Sequence, residues 1–212
     1  MKKNSKEMLL STILCLLPIV FGIAVYNKLP QEIPTKWYAD GTTGQYMPKA
    51  VTVFALPLGM AAVNMLIHFC MNTDPKRKNI EGVLRTMGKW FSPVLSLLLV
   101  PCSLMWGLGY EIPIERIVPV MIGVMFLIIG NYLPRCRRNY TQGIKTPWTL
   151  NSDENWRKTH HLAGYLWIFG GLLMMLLAFA PELMVKVGIV LLLVLTAGIP
   201  FVYSYMLYRK GI

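Results

Sequence analysis

A chain of 212 residues that is 55% hydrophobic, only 15% charged and has a mean hydropathy of +0.49 is not composed like a soluble domain, where roughly a quarter of residues carry charge. It reads as an integral membrane protein. A net charge of +11 raises nucleic acid as a partner, but the placement of the cations, set out below, favours a bilayer with anionic headgroups over direct nucleic-acid binding.

Residues 8–25 form a first apolar run, preceded by Lys2, Lys3 and Lys6. The run is about long enough to cross a bilayer, and Tyr26-Asn27-Lys28 is no small-residue cleavage site. It is therefore expected to be retained as a span. A polar loop over residues 26–49 follows, punctuated by Pro30, Pro34, Gly44 and the tight-turn pair Asp40-Gly41. Trp37, Tyr38 and Tyr46 give this loop apolar surface to bury, so it is expected to be ordered. Further spans are expected at 50–70, 91–109, 117–133, 162–180 and 185–207. In lipid each must be helical, since only a helix satisfies its own backbone within one segment. The fold class is thus an all-α integral membrane protein with a bundle of six transmembrane helices. Residues 1–70 form a first part with the loop 26–49. Residues 71–212 form a four-span part with a long polar loop over 134–161.

The loops then set the orientation. Of the 21 lysines and arginines, all but Lys28, Lys36, Lys49, Arg116 and Lys186 fall on the side of the N-terminus. The acids divide evenly, so the whole net charge lies on one side. The positive-inside rule makes that side cytoplasmic, with both termini inside and the loop 26–49 outside.

Chemistry-bearing residues are sparse. No ionisable side chain is expected in mid-span, where only Asn64, Ser96, Ser103, Thr196, Cys15 and Cys102 are polar. Proton-coupled transport needs buried carboxylates or histidines. His68, Cys70, Cys136, His160 and His161 fall on the inner side, yet no C-x-x-C, H-x-x-x-H or H-E-x-x-H spacing makes them a metal site. The four cysteines, Cys15, Cys70, Cys102 and Cys136, read as reduced thiols. No nucleophile has an activator, no metal or cofactor is expected, and the chain is not read as an enzyme.

The segment from Asn131 to Gly164 is the most particular stretch. Gly143, Pro134 and Pro147 fix backbone shape. Asn131 and Asn139 offer amides. Trp148 and Trp156 suit the headgroup zone. Lys145-Thr146-Pro147-Trp148 joins a cation, a rigid turn and an indole at fixed depth, which suits binding a headgroup, a peptide or a protein. Ser152 or Asn151 caps a helix whose first turn holds Asp153 and Glu154, where carboxylates suit the dipole. That helix is expected to run unbroken into the fifth span, with Trp156 and His160 on one face.

Gly130-Asn131, Pro134, Asn139, the run Gly143 to Leu150, Trp156, His160 and Gly164 resemble the signature of the SdpI family, integral membrane immunity proteins associated with a sporulation-delaying toxin. The outer loop, with Leu29-Pro30, Ile33-Pro34, Trp37, Asp40-Gly41, Tyr46 and Lys49, resembles a small domain of unknown function found at the start of such proteins. Lys145 stands where that pattern usually has Arg, which keeps the charge but loses the bidentate fork. Lys36 stands where a His often precedes the aromatic.

The resemblance implies a protein of the bacterial plasma membrane that protects against a secreted, membrane-active peptide toxin met on the outer face. It also implies recruitment of a cytoplasmic repressor. Asn131, Asn139, Gly143, Lys145, Thr146, Pro147, Trp148, Trp156 and His160 would then form the inner site. Pro34, Trp37, Asp40, Gly41 and Tyr46 would form the outer one. A small transporter or lipid-handling protein is the alternative, and a membrane enzyme the third reading.

Overall fold

A computed structural model describes residues 2–38, 40–80 and 82–212, with side chains from Ser5 onward. The side chains of Lys2 and Lys3, and Glu81, which enter the charge distribution above, lie outside it. Among the described residues, six helical segments are long and apolar enough to cross a membrane. They are built from α1 (Lys2–Val25), α2 (Leu56–Thr73), α3 (Gly82–Gly107), α4 (Ile114–Tyr132), α6 (Asp153–Leu177) and the pair α7 (Glu182–Leu193) and α8 (Ile199–Arg209). A π-helical turn, Val51–Ala55, leads into α2, and another, Val194–Gly198, joins α7 to α8. A short α5 (Pro147–Asn151) precedes α6. Large apolar side chains such as Leu176, Phe179 and Leu183 are over 70% exposed. A water-soluble fold buries surface of that kind, whereas a bilayer covers it.

The chain divides into two compact units. The first comprises residues 1–72 and 86–114. Its core is Leu29, Ile33, Val53, Val100 and Leu104, with Val25, Tyr26, Leu56 and Leu108 packed against it. The polar loop is a two-stranded antiparallel hairpin, β1 (Glu32–Trp37) and β2 (Thr43–Pro48). Its register runs from Glu32 opposite Pro48 to Trp37 opposite Thr43, with irregularities on either side of Lys36. The sequence marks only the turn. The strands are short and hold two prolines, and their pairing is fixed by Ile33, which is fully buried in the core and seats the hairpin on the helix ends.

Helix α3 begins at Gly82, nine residues before the span expected from hydropathy. Arg85 and Lys89 make residues 82–90 look like loop. In the fold Lys89 is 2% exposed and its Nζ lies 2.6 Å from Glu7 Oε2 of α1. A charge leaves water only when paired, and the partner lies 82 residues away, beyond the reach of local pattern.

The same unit holds a buried polar cluster. Asn64 Nδ2 of α2 donates to Ser11 Oγ at 2.8 Å and to Thr12 Oγ1 at 3.1 Å in α1. Ser11 Oγ also lies 3.1 Å from His68 Nε2 and donates to the Met8 carbonyl. Ser11, Asn64 and His68 are all fully buried. His68 thus lies in the last turns of α2 and Lys89 in the first turns of α3, each engaged by a side chain of α1. Ser96 Oγ adds a bond to the Cys15 carbonyl at 2.7 Å.

The second unit comprises residues 73–85 and 115–212. Helices α4 and α6 meet through glycines. A Cβ on Gly123 would come 2.7 Å from the Gly171 carbonyl oxygen, and one on Gly130 would come 2.8 Å from that of Gly164. The reciprocal contacts are equally close. The pairs are seven residues apart on both helices and run in opposite order, so the two backbones cross antiparallel at close approach. Small residues at the seam permit this in lipid.

Candidate functional site

The segment from Cys136 to His160 is a folded insert between α4 and α6, and its parts can be taken in turn. Asn139 is fully buried. Its Oδ1 accepts from the backbone N–H groups of Thr141 and Gln142 at 3.0 and 2.7 Å, and its Nδ2 donates to the Arg137 carbonyl at 2.9 Å. It is thus an internal turn-former of the kind Asn favours. Asp74, just beyond α2, clamps the same turn. Its Oδ2 accepts from Tyr140 N–H at 3.0 Å and Thr141 Oγ1 at 2.6 Å, and its Oδ1 accepts from Lys76 N–H at 2.7 Å. Burial raises the Asp74 pKa, but these hydrogen bonds outweigh it, and the carboxyl titrates below its usual range. Asn79 Nδ2 donates to the Arg138 carbonyl and Gln142 Nε2 to the Leu84 carbonyl, each at 2.8 Å.

Gly143 has φ +104°, a conformation open to glycine. Its α-carbon also faces His160 and Trp156 so closely that a Cβ would overlap His160 Nε2. The next residue shows why. Ile144 N–H donates to His160 Nε2 at 2.9 Å, and His160 Nδ1 lies 2.8 Å from the Trp156 carbonyl. A backbone N–H only donates and a carbonyl only accepts, so His160 is neutral with its proton on Nδ1. Both ring nitrogens are engaged, which leaves none for a metal or a proton relay. Its ring stacks on Trp156, centroids 4.0 Å apart. Among the described residues no group of three or more His, Cys, Asp or Glu could hold a metal ion.

Thr146 caps α5, and Thr149 returns the bond to the Thr146 N–H in a capping box, with Pro147 in the first turn. Trp148 Nε1 donates to Ser204 Oγ of α8 at 2.5 Å, and its ring sits among Phe201, Tyr205 and Tyr208. Ser152 caps α6 by accepting from Asn155 N–H, and that helix runs unbroken to Leu177. Asn155 Nδ2 donates to the carbonyls of Ser204 and Ile212. Arg138 reaches the Leu150 carbonyl at 2.9 Å and pairs with Asp153 at 2.7 Å.

The structure therefore gathers most of the motif. Asn139, Gly143, Thr146, Trp148, Trp156 and His160 interlock as the frame of the insert. Trp156 is 2% exposed and donates to the Cys136 carbonyl at 2.8 Å, so its indole is a core group and not a headgroup anchor. Lys145 and Pro147 are exposed, and Lys145 Nζ folds over the Tyr140 and Thr141 carbonyls at 3.2 Å. Asn131 is exposed on α4. On the hairpin, Pro34 is buried, Trp37 is half-buried, and Tyr38 and Tyr46 are 44% and 50% exposed. Asp40 Oδ1 accepts from Thr42 N–H and Oγ1, and Gly41 takes φ +81° in the turn. Sequence reasoning missed Asp74, Asn155 and Ser204. Each acts on a partner 49 or more residues away, and only the Asp74-Pro75 turn signal hinted at any of them.

These features define a multi-pass membrane protein whose spans carry a folded hairpin and a folded, basic insert. Residues 135–204 match the SdpI/YfhL protein family, and residues 13–61 match a domain of unknown function, DUF1648. Over 210 residues the chain is 26% identical to the immunity protein SdpI of Bacillus subtilis (strain 168), covering 99% of this chain and 98% of that protein. The family match thus covers the insert and the helices that follow it, and the likeness to that immunity protein extends over nearly the whole chain. No solved structure matches it.

Proposed function

We propose that this chain is an immunity protein of the plasma membrane, protecting the cell that carries it against a secreted, membrane-active peptide toxin by binding and not by turnover. The near full-length likeness to the Bacillus subtilis immunity protein carries the reading. The one-sided distribution of cations supports an orientation with both termini and the insert in the cytoplasm and the hairpin outside. There the exposed Tyr38, with Lys36 over its ring, and the exposed Tyr46 offer an amphipathic peptide aromatic faces and a cation. The insert's exposed Arg137, Tyr140, Lys145 and Pro147, held on a rigid frame, are the surface to which a cytoplasmic repressor would be recruited.

Two tests follow. Reporter fusions at Asp40 and Asp153 should mark opposite sides of the membrane, and the same side would overturn the orientation. The double variant Tyr38→Ser/Tyr46→Ser should reach the membrane at wild-type level yet protect less. Undiminished protection would remove the hairpin as the contact.

A further inference from the structure

Cations on α6 are gathered on one face. Arg157, Lys158 and His161 stand with Leu162 and Tyr165 on that face, and Tyr203 of α8 completes an open groove of about 470 Å³. The spacings 157, 161, 165 and 158, 162, 165 are those of neighbours on one side of a helix. From Arg157 to Tyr165 the helix rises about 12 Å, enough to pass from the headgroup layer, about 5–8 Å deep on each side, into the hydrocarbon. The groove is accordingly cationic at one end and aromatic and apolar at the other. No carboxylate lines it. The nearest on the helix, Glu154, is held by Lys158 Nζ at 2.8 Å, one turn before the groove. His161 stands edge-on to Tyr165, ring centroids 5.3 Å apart, which fixes the imidazole at the wall. Arg157 is exposed, so its planar fork is available for a tetrahedral anion.

We propose that this groove binds the phosphate of an anionic glycerophospholipid. Arg157, Lys158 and His161 hold the headgroup, and an acyl chain lies along Leu162, Tyr165 and Tyr203. A soluble phosphate would use the cations and leave the apolar wall bare. A neutral lipid would use the wall and leave the exposed Arg157 guanidinium unmatched. Tyrosine at this level suits both neighbours, with its ring in the acyl boundary and its hydroxyl among headgroups.

The test is lipid binding to the purified full-length protein in detergent, followed by native mass spectrometry, with phosphatidylglycerol and phosphatidylcholine titrated separately. Phosphatidylglycerol should bind more tightly. Arg157→Gln/Lys158→Gln/His161→Gln should weaken it at least about tenfold, the scale of losing charge-assisted phosphate bonds. The control Arg135→Gln/Arg137→Gln/Lys210→Gln, which removes at least as much positive charge, should change it less than about twofold. Arg157→Gln alone, an exposed change that spares folding, should itself weaken binding measurably. Equal losses in the two triple variants, equal affinity for both lipids, unchanged binding in Arg157→Gln, or displacement by inorganic phosphate at lipid-equivalent concentration would each overturn the proposal.

Discussion

Replacing Gly143 with alanine tests whether the insert is the rigid frame described above. Gly143 adopts φ +104°, where a side chain strains the backbone by about 1–3 kcal/mol. The new methyl would also occupy the space of His160 Nε2 and come 3.1 Å from the Trp156 ring. Moving the imidazole breaks the 2.9 Å bond from Ile144 N–H, and an unmet buried partner costs about 1–3 kcal/mol more. The sum is about 2–6 kcal/mol, or a fall in melting temperature on the order of 10 °C for a chain of this size. Gly59→Ala is the control: a Cβ there meets nothing within 4 Å, and alanine in a helix is neutral or stabilising by up to about 1 kcal/mol. Thermal unfolding of the two variants in one detergent measures the difference. His160→Ala combined with Gly143→Ala should cost less than the sum of the two single changes, because one removal of the Ile144 bond serves both. Equal melting temperatures for the glycine variants, or strict additivity with His160→Ala, would refute the packing argument.

Three further outcomes follow from the same geometry. Trp148→Phe keeps most of the ring contacts but loses the bond to Ser204, so it should cost about 1 kcal/mol, and a double-mutant cycle with Ser204→Ala should recover a coupling of that size. Lys89→Met leaves Glu7 unpaired at its partly exposed site and should destabilise by about 1–3 kcal/mol, most of which Glu7→Gln in the same chain restores; thermal unfolding measures both. Asp74 titrates lower in the fold than in the unfolded chain, where its pKa is about 3.9. Its stabilising contribution is therefore full above that value and is lost as pH falls through the lower folded one. Amide exchange at Tyr140 should quicken over that acid window in the wild type and be fast at neutral pH in Asp74→Asn.

The spans were legible because lipid demands long apolar helices, and the capped start of α6 because Ser152, Asp153 and Glu154 signal locally. The start of α3 was not, since Lys89 reads as a loop cation until Glu7 is brought to it. The hairpin showed only its Asp40-Gly41 turn, because its strands depend on Ile33 finding a core. In the insert, the residue types announced constraint without saying which kind. Asn139 turned out to be spent on its own turn, and Trp156 and His160 on each other, while Asp74, remote in sequence, holds the turn. The crossing of α4 and α6 hid in a seven-residue glycine spacing with no G-x-x-x-G to flag it.

Protection of a living cell bears most directly on the proposal. Cells of a sensitive strain lacking its own immunity protein would express this chain, its arrival in the membrane would be verified, and survival would be scored against a panel of secreted membrane-active peptides that includes the sporulation-delaying toxin. The account predicts that killing by at least one peptide shifts to higher concentration with the wild type and shifts back with Gly143→Ala. Unaltered killing by every peptide, with the wild-type protein present in the membrane, would contradict it.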